Sequence, residues 1–225
     1  MGVNLCVTTL NRQDALVECL RSACAGTMKP DAIFIVDQAN RPDLLAPAID
    51  GLPCFVATIN LGHHVRGCEA SAINWYLMSV PEERIIAHDD VIFGPDSLER
   101  FLTTDGAFVI DASQGVLTYR DHCKNMAGLY DETISPGFYR YCDVDYEDRL
   151  AWYGIQPVVV DCGIEHKPNG TMRAYTSEQH AEYSRRVEIA RFNYETKWLR
   201  PLTPGGDTIG RAEWRKNHEP YSRER

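Results

Sequence analysis

No stretch of this 225-residue chain is apolar over the roughly 20 residues that a membrane-spanning helix needs. Its start, MGVNLCVTTLNR, lacks a basic region followed by an apolar one. A membrane segment is therefore not expected, and the expected compartment is the cytoplasm. Paired cysteines are missing too: eight are spread along the chain without a CxxC, which favours reduced thiols packed as small apolar residues over a disulfide framework or a zinc site. Internal repeats, low-complexity tracts and long heptad runs are absent, and with 44% hydrophobic residues this excludes disorder, collagen and coiled coil. Positive charge is in deficit, with 23 Lys and Arg against 32 Asp and Glu, a formal net charge of −9. A broad nucleic-acid surface needs clustered cations, so nucleic acid is not a favoured partner. The balance suits a protein that binds a cation, with the cation in turn meeting phosphates.

What is present is an alternation of apolar runs and helical patterns in a chain long enough for one sizeable core. Val3 to Val7 predicts a first strand, and Leu16, Leu20, Ala23 and Cys24 predict an amphipathic helix from Asp14 to Cys24. Ala32 to Val36 is continuously apolar, the mark of a strand covered on both faces. Further strands are predicted at Cys54 to Thr58, Ile85 to Ala87, Ala107 to Ile110 and Val158 to Val160. Helices are predicted through Ala70 to Met78, from Asp96 to Leu102 behind Pro95 at an N1 position, around Asp145 to Trp152, and from about Ser177 to Trp198. Such alternation implies an α/β domain with a mostly parallel central sheet flanked by helices, whose ligands bind beyond the carboxyl ends of the strands. The one boundary signal is PLTPGG at 201–206, so the expected division is a domain over 1–199 and a tail or flap over 200–225.

The polar residues that terminate the strands carry the chemistry. The first strand runs into Thr8, Thr9 and Arg12, the second into Asp37, the fourth into His88, Asp89 and Asp90, and the strand near 160 into Glu165 and His166. Asp37 alone could equally cap a turn, Arg12 be a solvated charge, and His166 a satisfied histidine. His88-Asp89-Asp90 is more telling, because charges leaving a core need pairing or a metal, and Mg²⁺ or Mn²⁺ favours carboxylate oxygens with imidazole acceptable to Mn²⁺. A second concentration of acids, Asp143, Asp145, Glu147 and Asp148, follows Gly137. A helix start collects acids to complement its dipole, and Arg149 can pair with Asp145 four residues before it. Asp143, expected just before that helix, is placed to act as a general base toward a hydroxyl.

In this order the motifs resemble those of an inverting glycosyltransferase of family 2, of bacterial or phage type, with the GT-A fold, from about residue 3 to residue 198. VTTLNR at 7–12 looks like the family's opening strand and turn, IVDQAN at 35–40 like its IVDDxS segment, and NLG at 60–62 like its NxG turn. HDDV at 88–91 stands where the DxD motif ends its strand, AGLYDE at 127–132 resembles VGxFDE, and YCDVDYEDRL at 141–150 resembles YYEDxDxxxRL. IEH at 164–166 is similar to the histidine segment of the metal shell, and NYETKW at 193–198 to NxxYxxKW. The resemblance implies a nucleoside-diphosphate sugar donor, UDP first, bound by Thr8, Thr9, Arg12, Asp37 and Asp89. It implies a divalent Mn²⁺ or Mg²⁺ on Asp90 and His166, and Asp143 as the base. Supporting roles fall to His88, Asp145, Arg149, Lys197 and Trp198. The acceptor would be a hydroxyl of a glycan, a protein or a modified nucleobase. The chain departs from the pattern where His88 replaces the first Asp of DxD, where Cys142 replaces an acid, and where Lys197-Trp198-Leu199-Arg200 replaces KWGG. Two other readings stand beside it: a non-catalytic nucleotide-sugar or carbohydrate-binding module, made plausible by His88 and Cys142, and a nucleotidyltransferase. The latter would need a glycine-rich basic loop after the first strand, where this chain offers only Arg12.

Overall fold

The computed structural model describes residues 3–10, 12–38, 42–59, 69–81, 84–136, 141–167 and 176–198. The NLG turn, the residues from Gly137 to Arg140 and the expected tail or flap lie outside them. In chain order the elements are β1 (Asn4–Thr9), α1 (Gln13–Ala25), β2 (Ala32–Asp37), α2 (Pro42–Ile49), β3 (Phe55–Ile59), α3 (Glu69–Ser79), β4 (Arg84–His88) and β5 (Val91–Ile92). They continue with α4 (Ser97–Thr103), β6 (Phe108–Asp111), β7 (Val116–Tyr119), α5 (Asp121–Ala127), α6 (Cys142–Trp152), β8 (Val158–Val160), β9 (Glu165–His166) and α7 (Ser177–Trp198).

Seven strands form one sheet in the order β3-β2-β1-β4-β7-β6-β8. The run β3-β2-β1-β4 is parallel, β7 is antiparallel to both its neighbours, and β8 is parallel to β6. Alternation along each strand divides the core in two. Leu5, Val7, Ile33, Ile35, Ile85 and Ala87 pack with Leu16 and Leu20 of α1, Leu45 of α2 and Phe101 of α4. Cys6, Val36 and Ile86 point to the other face, against Ile73 and Tyr76 of α3, Tyr146 of α6, and Tyr194 and Trp198 of α7. Burial on both faces is why these central strands read as continuous apolar runs. The expected α/β architecture, a mostly parallel sheet flanked by helices, is the one observed.

Two polar side chains lock this frame. Tyr76 Oη donates to the Val7 carbonyl at 2.7 Å and accepts from the Val36 amide at 3.1 Å, filling the gap between β1 and β2 near their carboxyl ends. Arg84, 1% exposed, gives Nη1 to the Val80 carbonyl and Nη2 to the Tyr119 carbonyl and Asp121 Oδ1, each at 3.0 Å.

Several local expectations shift. Pro95 is not the first helical residue: Asp96 is the N-cap of α4, and the Pro95 carbonyl accepts from the Thr27 amide at 2.7 Å, tying the end of α1 to this turn. Helix α6 begins at Cys142, so Asp143 lies in its first turn rather than before it. His166 does not end the strand near 160; it belongs to β9, a separate strand antiparallel to β5, with Val91 opposite His166. The seven described cysteines are free thiols, and among the described residues no helix is long and apolar enough to cross a membrane.

Candidate functional site

The parallel register assembles the carboxyl edge of the sheet. Thr8 on β1 lies beside His88 on β4, and Thr9 lies beside Asp37 on β2. Past His88 the chain turns through Asp89 and Asp90 into β5, and pairing of β5 with β9 returns His166 to that turn. The Asp90 carbonyl accepts from the Lys167 amide at 2.9 Å, fixing the two segments.

One network joins most of the predicted residues. Arg12 Nη1 lies 2.7 Å from Asp90 Oδ2 and 3.3 Å from Asp89 Oδ1. Thr9 Oγ1 donates to Asp89 Oδ2 at 2.8 Å. His166 Nε2 faces Asp90 Oδ1 at 3.2 Å, while its Nδ1 donates to the Ser113 carbonyl at 3.0 Å. Burial would raise the Asp90 carboxyl, but the hydrogen bonds from His166 and Arg12 outweigh it and hold it at about 2. For Asp89 burial wins over Arg12 and Thr9, lifting it to about 6. Desolvation alone would favour a neutral His88 ring, yet the Glu69 carboxylate with Asp90 and Asp89 raises it to about 9.

His88, Asp90 and His166 each offer a ligand atom within 4.8 Å of the others. The donor chemistry fits a divalent cation. The Ser113 oxygen can only accept, so His166 Nδ1 carries a proton. Its Nε2 then faces an anionic oxygen, an arrangement that needs a second proton or a cation between them. His88, which the sequence suggested only as a supporting residue, thus stands with the two expected ligands.

Two participants have no sequence motif to mark them. Glu69, at the start of α3, accepts from Thr8 Oγ1 at 3.2 Å and pairs with His88 Nε2 at 3.1 Å through the same Oε1. Ser113 acts through its backbone carbonyl, which any residue supplies. The first was legible only as an acid in a helix's first turn, the second not at all.

Gly115 marks how tight the site is. Its carbonyl accepts from the His88 amide at 3.0 Å. A Cβ there would stand 2.5 Å from Val91 Cγ1 and 2.9 Å from His166 Cγ. Gly115→Ala is therefore expected to displace the β5-β9 pair and weaken Mn²⁺ binding about tenfold, of the order found when a ligand's supporting shell is disturbed. Calorimetric titration with Mn²⁺ checks it, and unchanged affinity would show that the pair moves freely.

Asp37 stays at the end of β2 beside Thr9, while Asp145, Arg149, Lys197 and Trp198 form a second cluster where α6 meets α7. Asp145, fully buried, accepts from Arg149 Nε at 3.0 Å and from Trp198 Nε1 at 3.0 Å, and pairs with Lys197 Nζ at 2.7 Å. Lys197 also reaches Asp131 at 2.9 Å. Tyr194 donates to the buried Asp148. Lys197 and Trp198 thus bind α7 to the first turn of α6, which carries Asp143.

No protein-family model matches the chain, and no curated protein matches it in sequence. Solved structures match in fold. A mannosyltransferase, PcManGT of Pyrobaculum calidifontis in complex with GDP-Man and Mn²⁺, is 13% identical over 99% of this chain and 82% of that one, with a TM-score of 0.60. TarS 1-349 of S. aureus with UDP-GlcNAc is 10% identical over 91% of this chain and 75% of that one, TM-score 0.55. The inositol-1-phosphate CTP transferase of T. maritima is 11% identical over 84% of this chain and 96% of that one, TM-score 0.55. The chain therefore has the nucleotide-sugar transferase fold.

Proposed function

We propose that this protein is a metal-dependent inverting glycosyltransferase that moves a hexosyl or pentosyl group from a nucleoside-diphosphate sugar, a UDP-sugar first, to an acceptor hydroxyl. The observation that carries the reading is the His88, Asp90 and His166 cluster at the carboxyl edge of a sheet of this fold. Nucleotide-sugar complexes of the mannosyltransferase and of TarS support it, one of them with Mn²⁺.

Asp90 and His166 would hold the divalent ion, which when bound neutralises charge developing on the leaving diphosphate. Thr8, Thr9, Arg12 and Asp37 line the strand ends where the nucleotide lies in this reading. Asp89, fixed by Thr9 and Arg12, contacts ribose or metal. Asp143 takes the proton from the acceptor hydroxyl. The acceptor oxygen bonds to the anomeric carbon from the face opposite the diphosphate, whose bonding electron pair leaves with it. One displacement inverts the configuration. This is transfer rather than hydrolysis, so the carboxylate spacing of glycosidases sets no requirement here.

Asp90→Ala is expected to lose metal-dependent nucleotide binding. Calorimetry with UDP, with and without Mn²⁺, reads this, and equal affinities in variant and wild type would contradict it. Slow Mn²⁺-dependent release of UDP from a UDP-sugar without acceptor would separate the enzyme from a non-catalytic binding module. A donor screen across UDP-, GDP- and dTDP-sugars assigns the nucleotide.

A further inference from the structure

The two histidines of the cluster are anchored in complementary ways. His166 gives Nδ1–H to the Ser113 carbonyl at 3.0 Å and turns Nε2 to Asp90. His88 turns Nε2 to the Glu69 carboxylate at 3.1 Å, and because an ionised carboxylate can only accept, that nitrogen carries the proton. A metal takes only a neutral imidazole, so on binding the ring gives up its second proton and the other nitrogen carries the lone pair. Glu69 is itself oriented by Thr8, which the β1-β4 register sets directly beside His88. The rings meet edge to face with centroids 5.3 Å apart. Each imidazole thus has one nitrogen fixed by an oxygen acceptor, and each ring offers a ligand atom within 4.8 Å of Asp90 and of the other ring, the pattern by which ligating histidines are held.

We propose that His88 is a third protein ligand of the divalent ion, with Glu69 as the residue that positions it. The site is then a two-imidazole, one-carboxylate set that selects Mn²⁺ or Co²⁺ over Mg²⁺. This deepens the glycosyltransferase reading and rests on it only in requiring an ion at this edge. Mg²⁺ keeps oxygen ligands and parts with its water reluctantly, whereas imidazole suits the transition ions. An aspartate in place of His88 would offer the more oxygen-rich site that tolerates both ions.

The test uses the whole chain and the metal alone. Titration with MnCl₂ and MgCl₂ is expected to give Mn²⁺ affinity about tenfold or more above that of Mg²⁺. Pulsed electron paramagnetic resonance of the Mn²⁺-loaded wild type should show two coordinated nitrogens. His88→Ala should show one nitrogen and bind Mn²⁺ about tenfold or more weakly, and His88→Asp should bring the Mn²⁺ to Mg²⁺ affinity ratio toward one. Glu69→Ala is expected to lose about 10- to 100-fold in Mn²⁺ affinity. Glu69→Gln keeps an acceptor oxygen and should recover most of that loss, a rescue that a merely structural acid would not show. A single nitrogen in the wild type, which needs no variant to fold, or equal affinities for the two ions, would overturn the proposal. In either outcome Mn²⁺ still binds and the glycosyltransferase reading stands; no Mn²⁺ binding to the wild type, alone or with UDP, would overturn both.

Discussion

An Asp143→Asn protein is expected to bind UDP and Mn²⁺ as the wild type does while transferring sugar about 10²- to 10⁴-fold more slowly, the contribution usual for a positioned general base. The substitution keeps size and hydrogen-bonding capacity and removes only the ability to take a proton. Asp143 stands on a different element from the strand-end cluster, in the first turn of α6, so losing its charge leaves Arg12, Asp90 and His166 in place. The helix start that presents it is not relaxed. Tyr141, its N-cap, sits at φ 63 and ψ −8, a left-handed conformation that favours glycine and costs a larger residue about 1–3 kcal/mol. What opposes that strain is the packing of the Tyr141 ring against Tyr194 of α7, centroids 6.0 Å apart, and the Asp145 amide's bond to the Tyr141 carbonyl at 2.9 Å. Turnover at the wild-type rate by the Asn variant would mean that the proton leaves by another route.

How much of this was readable in the linear chain depends on how local the determining interactions are. Helix α7 was legible from Ser177 to Trp198, and β1, β2 and β4 from their apolar runs to within two residues at each end, because burial and periodicity are properties of adjacent residues. β7 and α5 carry no such local signal. Val116 to Tyr119 is a strand because it pairs antiparallel with both β4 and β6, and Asp121–Ala127 is a seven-residue, largely polar helix. Helix α2 carries none either, being short and holding Pro47. The site divides the same way. Charged residues at strand ends announced Arg12, Asp37, His88, Asp89 and Asp90, since each lies where an apolar run stops. His166 stands out as a histidine, but its placement depends on a two-residue strand whose register partners, Val91 for His166 and Ile92 for Glu165, lie 75 and 73 residues earlier in sequence. Glu69 is not legible in the sequence because what makes it matter, Thr8 and His88, lies on two other elements.

Asp145→Asn is expected to be the most destabilising single change at the α6-α7 junction, by about 3–5 kcal/mol, seen as a fall of roughly 6–20 °C in the midpoint of thermal unfolding for a chain of this length. The magnitude follows from burial. Asp145 is 0% exposed, and the Arg149 and Lys197 side chains that converge on it are each 11% exposed, so removal of the anion leaves cations out of water without their counter-charge. The two cations are not equally stranded. Lys197 retains Asp131 at 2.9 Å, an acid that burial would raise but that bonds from Thr133 and Lys197 hold at about 2. Arg149 turns otherwise to the Ala127 carbonyl and to the Tyr146 ring, 5.0 Å from its guanidinium carbon, neither of which carries a full charge. In the Asp145→Asn background, Arg149→Met should therefore recover more stability than Lys197→Met, because it removes the cation that has no second carboxylate among the described residues. A fall of under about 1 kcal/mol for Asp145→Asn would place the cluster with solvent-screened surface pairs, and α7 would then be held chiefly by its other contacts, among them Tyr194, the apolar face of Trp198 and the bonds of Asn193 to the Thr133 and Ile134 carbonyls.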